Sequence, residues 1–201
     1  MTEPMHQRVV TVFEARAPYV AVALSNLAVV LWLSTGEQFD LQRWARFTAQ
    51  IAALMLGCLF ILPLLKNRHA VASGLLKYTN RRALGLAYAM AMLIHACALI
   101  FYHLVTETDV RPLTLFIGSF AYLTLLLMVL TSFQRFRSQL SGRSWKVLHR
   151  FGLSVCVLIT ALTSAGGVVE RGWISVSSIV LLLLLLGFVA RIVAATATRA
   201  R

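Results

Sequence analysis

Six long apolar stretches dominate this chain, and short polar segments separate them. A helix needs about 20 residues to cross the hydrocarbon core of a membrane, and each stretch is close to that length. Helices satisfy their own backbone hydrogen bonds in lipid, so the pattern predicts an all-α, polytopic membrane protein with a bundle of six transmembrane helices. The predicted spans are Ala17–Ser34, Phe47–Leu65, Ala83–Val105, Leu113–Leu130, Val147–Val168 and Trp173–Ala195.

The composition supports this interpretation. Hydrophobic residues make up 59% of the 201 residues and charged residues only 13%, whereas a soluble domain carries about 25% charged residues. So few charges could not cover the surface of a soluble protein of this size. We therefore expect residues 17–195 to form one transmembrane domain, flanked by a cytoplasmic N-terminal segment (1–16) and a cytoplasmic tail (196–201).

The basic residues predict the orientation of the chain in the membrane. The net charge is +12. Fifteen of the 19 lysine and arginine residues lie in the N-terminal segment, the second and fourth loops and the C-terminal part. Cytoplasmic loops are enriched in these residues, so both termini are predicted to be cytoplasmic. Since topology accounts for the positive charge, we expect membrane lipid as a partner and no nucleic acid.

The acidic residues argue against an ion-coupled transporter. All seven fall outside the predicted spans, whereas such transporters usually place carboxylates at mid-depth. The three cysteines are isolated from one another in sequence and have neither metal-site nor disulfide spacing. Histidine is therefore the residue type inside the spans that carries candidate chemistry.

His95 and His149 are the two histidines of interest. His95 follows Arg82 by 13 residues, about 20 Å along the third span at 1.5 Å per residue. Small residues surround it in sequence, which allows either close helix packing or room for a flat macrocycle. His95 is therefore either a neutral histidine bonded to a neighbouring helix or an axial ligand of haem iron. His149 lies near the cytoplasmic face and is either an interfacial histidine or a second ligand.

Several short motifs then give the chain a family resemblance over about residues 45–165. They are Arg46-Phe47-Thr48-Ala49, Leu62-Pro63-Leu64-Leu65, Arg81-Arg82-Ala83-Leu84-Gly85-Leu86 followed by His95, Arg111-Pro112-Leu113, Leu130-Thr131-Ser132, and Trp145-Lys146-Val147-Leu148-His149. In this order and spacing they resemble the ferric reductase-like transmembrane family, and within it the MsrQ (YedZ) haem-binding membrane subunits.

The resemblance implies a b-type cytochrome in the bacterial inner (cytoplasmic) membrane. Such a subunit passes electrons from a cytoplasmic flavin or quinol to a periplasmic reductase partner, which for MsrQ-like proteins is a molybdenum-containing methionine sulfoxide reductase. It is an electron-transfer subunit of an oxidoreductase rather than a self-contained enzyme. His95 and His149 match family ligands of haem b, and the basic cytoplasmic loops would also suit FMN.

The sequence departs from the family at one position. The resemblance implies a third histidine where this chain has Leu162, level with His95 by helix rise. His95 and His149 are expected to differ in depth by about 15 Å on the same arithmetic. The outcomes left open are an outer haem with His95 as its one protein ligand, an inner haem held by His149, and loss of haem. The last would make the chain a structural subunit of a larger membrane complex.

Overall fold

Helices form all the regular structure in the part of the chain that the computed structural model describes, which is residues 18–31, 40–65, 81–172 and 174–199. They are α1 (Pro18–Leu31), α2 (Leu41–Leu65), α3 (Arg81–Thr106), α4 (Pro112–Leu130), α5 (Gln134–Arg137), α6 (Gly142–Arg171) and α7 (Val176–Arg199). The predicted N-terminal segment (1–16) lies outside the described residues.

Local sequence signals explain where several helices begin. Asp40 accepts a hydrogen bond from the Arg43 backbone N–H at 2.9 Å at the start of α2. Pro112 opens α4, where the N–H that proline lacks would have had no partner. Ser141 caps α6 by accepting a hydrogen bond from the Ser144 backbone N–H at 3.0 Å. Pro112 lies directly before a predicted apolar stretch, whereas Asp40 and Ser141 lie seven and six residues before theirs.

Four of the predicted spans are confirmed as helices long and apolar enough to cross a membrane. They are Leu41–Ile61, Arg82–Thr106, Pro112–Leu130 and Gly142–Glu170. The predicted first and sixth spans correspond to shorter apolar helices within the described residues, Pro18–Leu31 and Val176–Val189. The all-α membrane class therefore holds, while the count of six spans and the cytoplasmic position of the termini stay predictions.

The ends of α6 and α7 lie beyond the predicted ends of their spans. α6 runs through Gly166 and Gly167 to Arg171 and stops at Gly172, whose φ of 82° suits glycine. α7 extends to Arg199, so residues 196–199 of the predicted tail are helical.

The chain divides into two compact units, residues 1–99 with 182–201, and residues 100–181. In the described part of the first unit, α2 and α3 bury faces rich in small side chains. The buried residues are Ala45, Thr48, Ala52, Leu56, Gly57 and Phe60 on α2, and Ala83, Ala87, Tyr88, Ala91 and Ala98 on α3. α7 also packs on α2, since a Cβ on Gly187 would lie 2.5 Å from Phe60 Cδ1. Small residues let transmembrane helices approach closely in this way.

The second unit is built on the packing of α4 against α6. The side chain of Met128 on α4 lies against Gly152 on α6, where a Cβ would stand 2.5 Å from the methionine sulfur. Cys156, one helical turn further along α6, is buried. The space that glycine leaves on this face of α6 is therefore filled by a methionine side chain.

Candidate functional site

His95 lies on the small-residue face of α3. Ala87, Ala91 and Ala98 share this face because they stand one or two helical turns from His95, and their exposed fractions are 0%, 1% and 0%. The imidazole itself is half-buried. The small residues around His95 allowed either close helix packing or room for a flat macrocycle. These three alanines are closely packed. Gly85 is different, since a Cβ there would meet no atom within 4 Å.

The partner of His95 is Thr48 on α2. The Thr48 Oγ1 and His95 Nδ1 atoms are 3.1 Å apart. The same hydroxyl donates a hydrogen bond to the Ala45 carbonyl at 2.8 Å. A hydroxyl has one proton to donate, so the second contact is one in which Nδ1–H donates to the threonine oxygen.

This network determines the tautomer of a neutral His95. With the proton on Nδ1, Nε2 carries a lone pair. His95 is thus bonded to a neighbouring helix, as one sequence interpretation expects. The bond occupies only Nδ1, so it is equally compatible with Nε2 as a metal ligand.

His149 on α6 has the opposite arrangement. Its Nε2 lies 3.2 Å from Oγ1 of Thr131, the residue that follows the last turn of α4. Thr131 donates its own hydroxyl proton to the Leu127 carbonyl at 2.7 Å. By the same proton count, His149 donates from Nε2. Its lone pair is therefore on Nδ1, which is bonded to no described residue.

Trp145 completes a polar cluster around His149. Its ring centroid lies 4.3 Å from that of His149 at an interplanar angle of 38°. The indole Nε1–H donates to the Thr131 carbonyl at 3.1 Å, and the Arg137 guanidinium lies 5.0 Å from the centre of the indole ring. These contacts hold the end of α4, the short α5 and the start of α6 together.

The two predicted ligands belong to different compact units, His95 to the first and His149 to the second. Leu162 is 64% exposed, and its neighbour Thr163 bonds to the Ile159 carbonyl of its own helix at 3.0 Å. Among the described residues, no three histidine, cysteine or acidic side chains gather into a metal site.

Both threonine partners were missed as functional residues by the sequence analysis. Thr48 and Thr131 do lie in two of the motifs that carry the family resemblance. A hydroxyl on the apolar face of a helix was the available signal. That signal is weak, since threonine commonly bonds to a carbonyl of its own helix.

A family model described as "Ferric reductase like transmembrane component" matches residues 48–160, more than half of the chain. The chain belongs to this family. His95 and His149 both lie inside the matched region of this ferric reductase-like protein, Thr48 is its first residue, and Leu162 lies two residues beyond its end. No curated protein and no solved structure matches the chain.

Proposed function

We propose that this ferric reductase-like protein is a b-type cytochrome subunit that relays electrons across the bacterial inner membrane, with His95 as an axial haem ligand. The observation that carries the proposal is the Thr48–His95 hydrogen bond of 3.1 Å, which leaves the Nε2 lone pair of a helix-borne imidazole available. Neutral imidazole is a usual axial ligand of haem iron. Family membership supports a membrane electron-transfer role of this kind.

Around His95, the described residues offer one nitrogen atom, Nε2, that could ligate a haem iron. Haem, when bound, would supply a one-electron ferric/ferrous couple. The chain would hold the imidazole on a rigid helix, keep its proton on Nδ1 and exclude water with the packed alanines of α3. None of these roles needs a catalytic side chain.

His149 is the second candidate ligand, and its geometry sets a condition on that role. Its Nε2 donates a hydrogen bond to Thr131 Oγ1 at 3.2 Å. A neutral imidazole ligates a metal through the ring nitrogen that carries no proton, which here is Nδ1. His149 would therefore ligate through Nδ1, or would exchange its Thr131 bond for iron. His95 needs neither change.

The donor and acceptor follow from the family resemblance. We propose a cytoplasmic flavin or quinol as donor, with FMN as a candidate cofactor, and a periplasmic reductase of the kind served by MsrQ (YedZ) subunits as acceptor. The predicted cytoplasmic side supports an anionic donor such as a flavin, since Arg135, Arg137, Arg143 and Lys146 lie between α4 and α6 or in the first two turns of α6. The basic residues among positions 66–80 lie outside the described residues.

Haem quantification in purified variants tests the proposal. The wild-type chain from haem-replete cells should carry haem and give a reduced-minus-oxidised α band. His95→Ala should lose this haem. His103→Ala is the matched control, because His103 lies on the same helix but bonds to Thr108 Oγ1 at 2.8 Å. His149→Ala shows whether a second ligand matters. Haem content that is equal in the His95 and His103 variants would refute the His95 assignment.

A second candidate function is that of a haem-free structural subunit. The observation in its favour is again the bond between His95 and Thr48, which gives a half-buried neutral histidine a partner on a neighbouring helix without any cofactor. A colourless wild-type preparation that co-purifies with other membrane proteins would favour this role over the cytochrome.

A further inference from the structure

We propose that Thr48 is a positioning residue for the His95 ligand: it accepts a hydrogen bond from Nδ1–H, so that Nε2 would offer its lone pair, with increased basicity, to a haem iron. This inference rests on the haem function proposed above, and it adds a residue to which the family resemblance assigned no role. Thr48 contacts His95, the proposed haem ligand. The proposal gives Thr48 no contact with the haem itself.

The setting of Thr48 makes its hydroxyl a well-fixed acceptor. The residue is 1% exposed, so water does not compete for its oxygen. Its β-branched side chain has few rotamers in a helix, and the 2.8 Å bond to the Ala45 carbonyl selects the orientation of the hydroxyl proton. The lone pairs of Oγ1 are thereby directed away from α2's own carbonyl and toward Nδ1.

A partner on the second nitrogen changes what a ligating histidine does to its metal. Such an acceptor fixes the tautomer and ring orientation and raises ligand basicity, and removing it typically lowers metal affinity about 10- to 100-fold. A more basic imidazole stabilises ferric iron more than ferrous iron. A hydroxyl is a neutral acceptor, weaker than a carboxylate, so we expect an effect at the lower end of this range.

The variant that removes only this acceptor is Thr48→Val, which keeps the shape of the side chain. Thr48→Ser restores the hydroxyl and serves as the conservative rescue. Thr124→Val is the matched control, because Thr124 is also buried (5% exposed). Thr124 likewise bonds to a carbonyl of its own helix, at 2.7 Å to Phe120, but contacts no histidine among the described residues.

The readouts are the midpoint potential, from redox titration of the α band, and the haem affinity. Thr48→Val should bind haem about tenfold more weakly and should raise the potential. A tenfold loss of preference for the ferric state corresponds to about 59 mV for one electron. Thr48→Ser and Thr124→Val should resemble the wild type. A Thr48→Val protein that matches Thr124→Val in both readouts would overturn the inference while leaving the cytochrome assignment standing.

A measurement on the unsubstituted chain covers the case in which Thr48→Val fails to fold. Histidine labelled with ¹⁵N reports which ring nitrogen carries the proton, and the His95 signals are assigned by their loss in His95→Gln. The full chain in lipid bilayers should show protonated Nδ1. Protonated Nε2 in the haem-free chain would overturn the inference. A wild-type chain that never takes up haem would instead remove the proposed function, and with it the ligand role of Thr48.

Discussion

The cluster around Trp145 allows a quantitative prediction about the junction of α4 and α6. Trp145→Phe keeps an aromatic ring beside His149 but deletes the indole N–H that donates to the Thr131 carbonyl at 3.1 Å. Thr131 is the C-cap residue of α4, and carbonyls at a helix end have no partner within the helix. The substitution therefore removes this donor from the carbonyl of a buried residue.

The magnitude follows from the two contacts that are weakened. A hydrogen bond of this kind contributes about 0.5–1.5 kcal/mol net. The Arg137 guanidinium, 5.0 Å from the indole centroid, contributes about 0.5–1 kcal/mol at an exposed site, and phenylalanine retains part of that. We expect Trp145→Phe to lower the free energy of unfolding by about 1–2 kcal/mol.

The assay is reversible unfolding in mixed micelles, followed by circular dichroism. Arg137→Ala, alone and combined with Trp145→Phe, forms a double-mutant cycle that isolates the cation–π contribution. The cycle should give a favourable, non-zero coupling energy, since the two side chains are in contact. Wild-type stability in Trp145→Phe, with no coupling to Arg137→Ala, would refute this account of the junction.

Packing and capping give further predictions. Gly187→Ala should destabilise the chain by about 1–3 kcal/mol, because its Cβ would lie 2.5 Å from Phe60 Cδ1; Phe60→Leu in the same chain should recover part of the loss in micelle unfolding. Gly57→Ala is the milder comparison, with its nearest contact at 3.3 Å, and a loss equal to that of Gly187→Ala would contradict the packing geometry. Ser141→Ala should cost about 1 kcal/mol by removing the cap of α6. An unchanged unfolding midpoint would show that this cap does not stabilise the helix.

The apolar pattern was sufficient to predict an all-helical chain and four of its candidate membrane spans, but not where α6 begins. Hydropathy placed the start of the fifth span at Val147, where the apolar residues begin. The helix starts at Gly142, five residues earlier, because Ser141 supplies its cap. The intervening turn is polar, so it belongs to the helix without belonging to the apolar stretch. A helix can therefore be longer than the apolar stretch that it contains.

The sequence was sufficient to predict the two histidines of the candidate site, His95 and His149, but not the residues that bond to them. His95 is conspicuous in sequence because an ionisable residue among apolar ones needs a partner. Thr48 is not conspicuous, because its pairing with His95 depends on which faces of α2 and α3 meet. The space beside Gly152 could not be interpreted from sequence for the same reason, since a methionine from α4 occupies it. Pairings between helices are tertiary properties, and helical periodicity within one segment does not determine them.

Chemical rescue of a histidine cavity tests the ligand role of His95 most directly. His95→Gly removes the imidazole and leaves space that free imidazole can enter. The account predicts that the variant lacks the wild-type haem α band and that added imidazole restores it, whereas His103→Gly keeps the band without any addition. A His95→Gly protein with an unaltered haem spectrum, indifferent to imidazole, would contradict the claim that this nitrogen holds the iron.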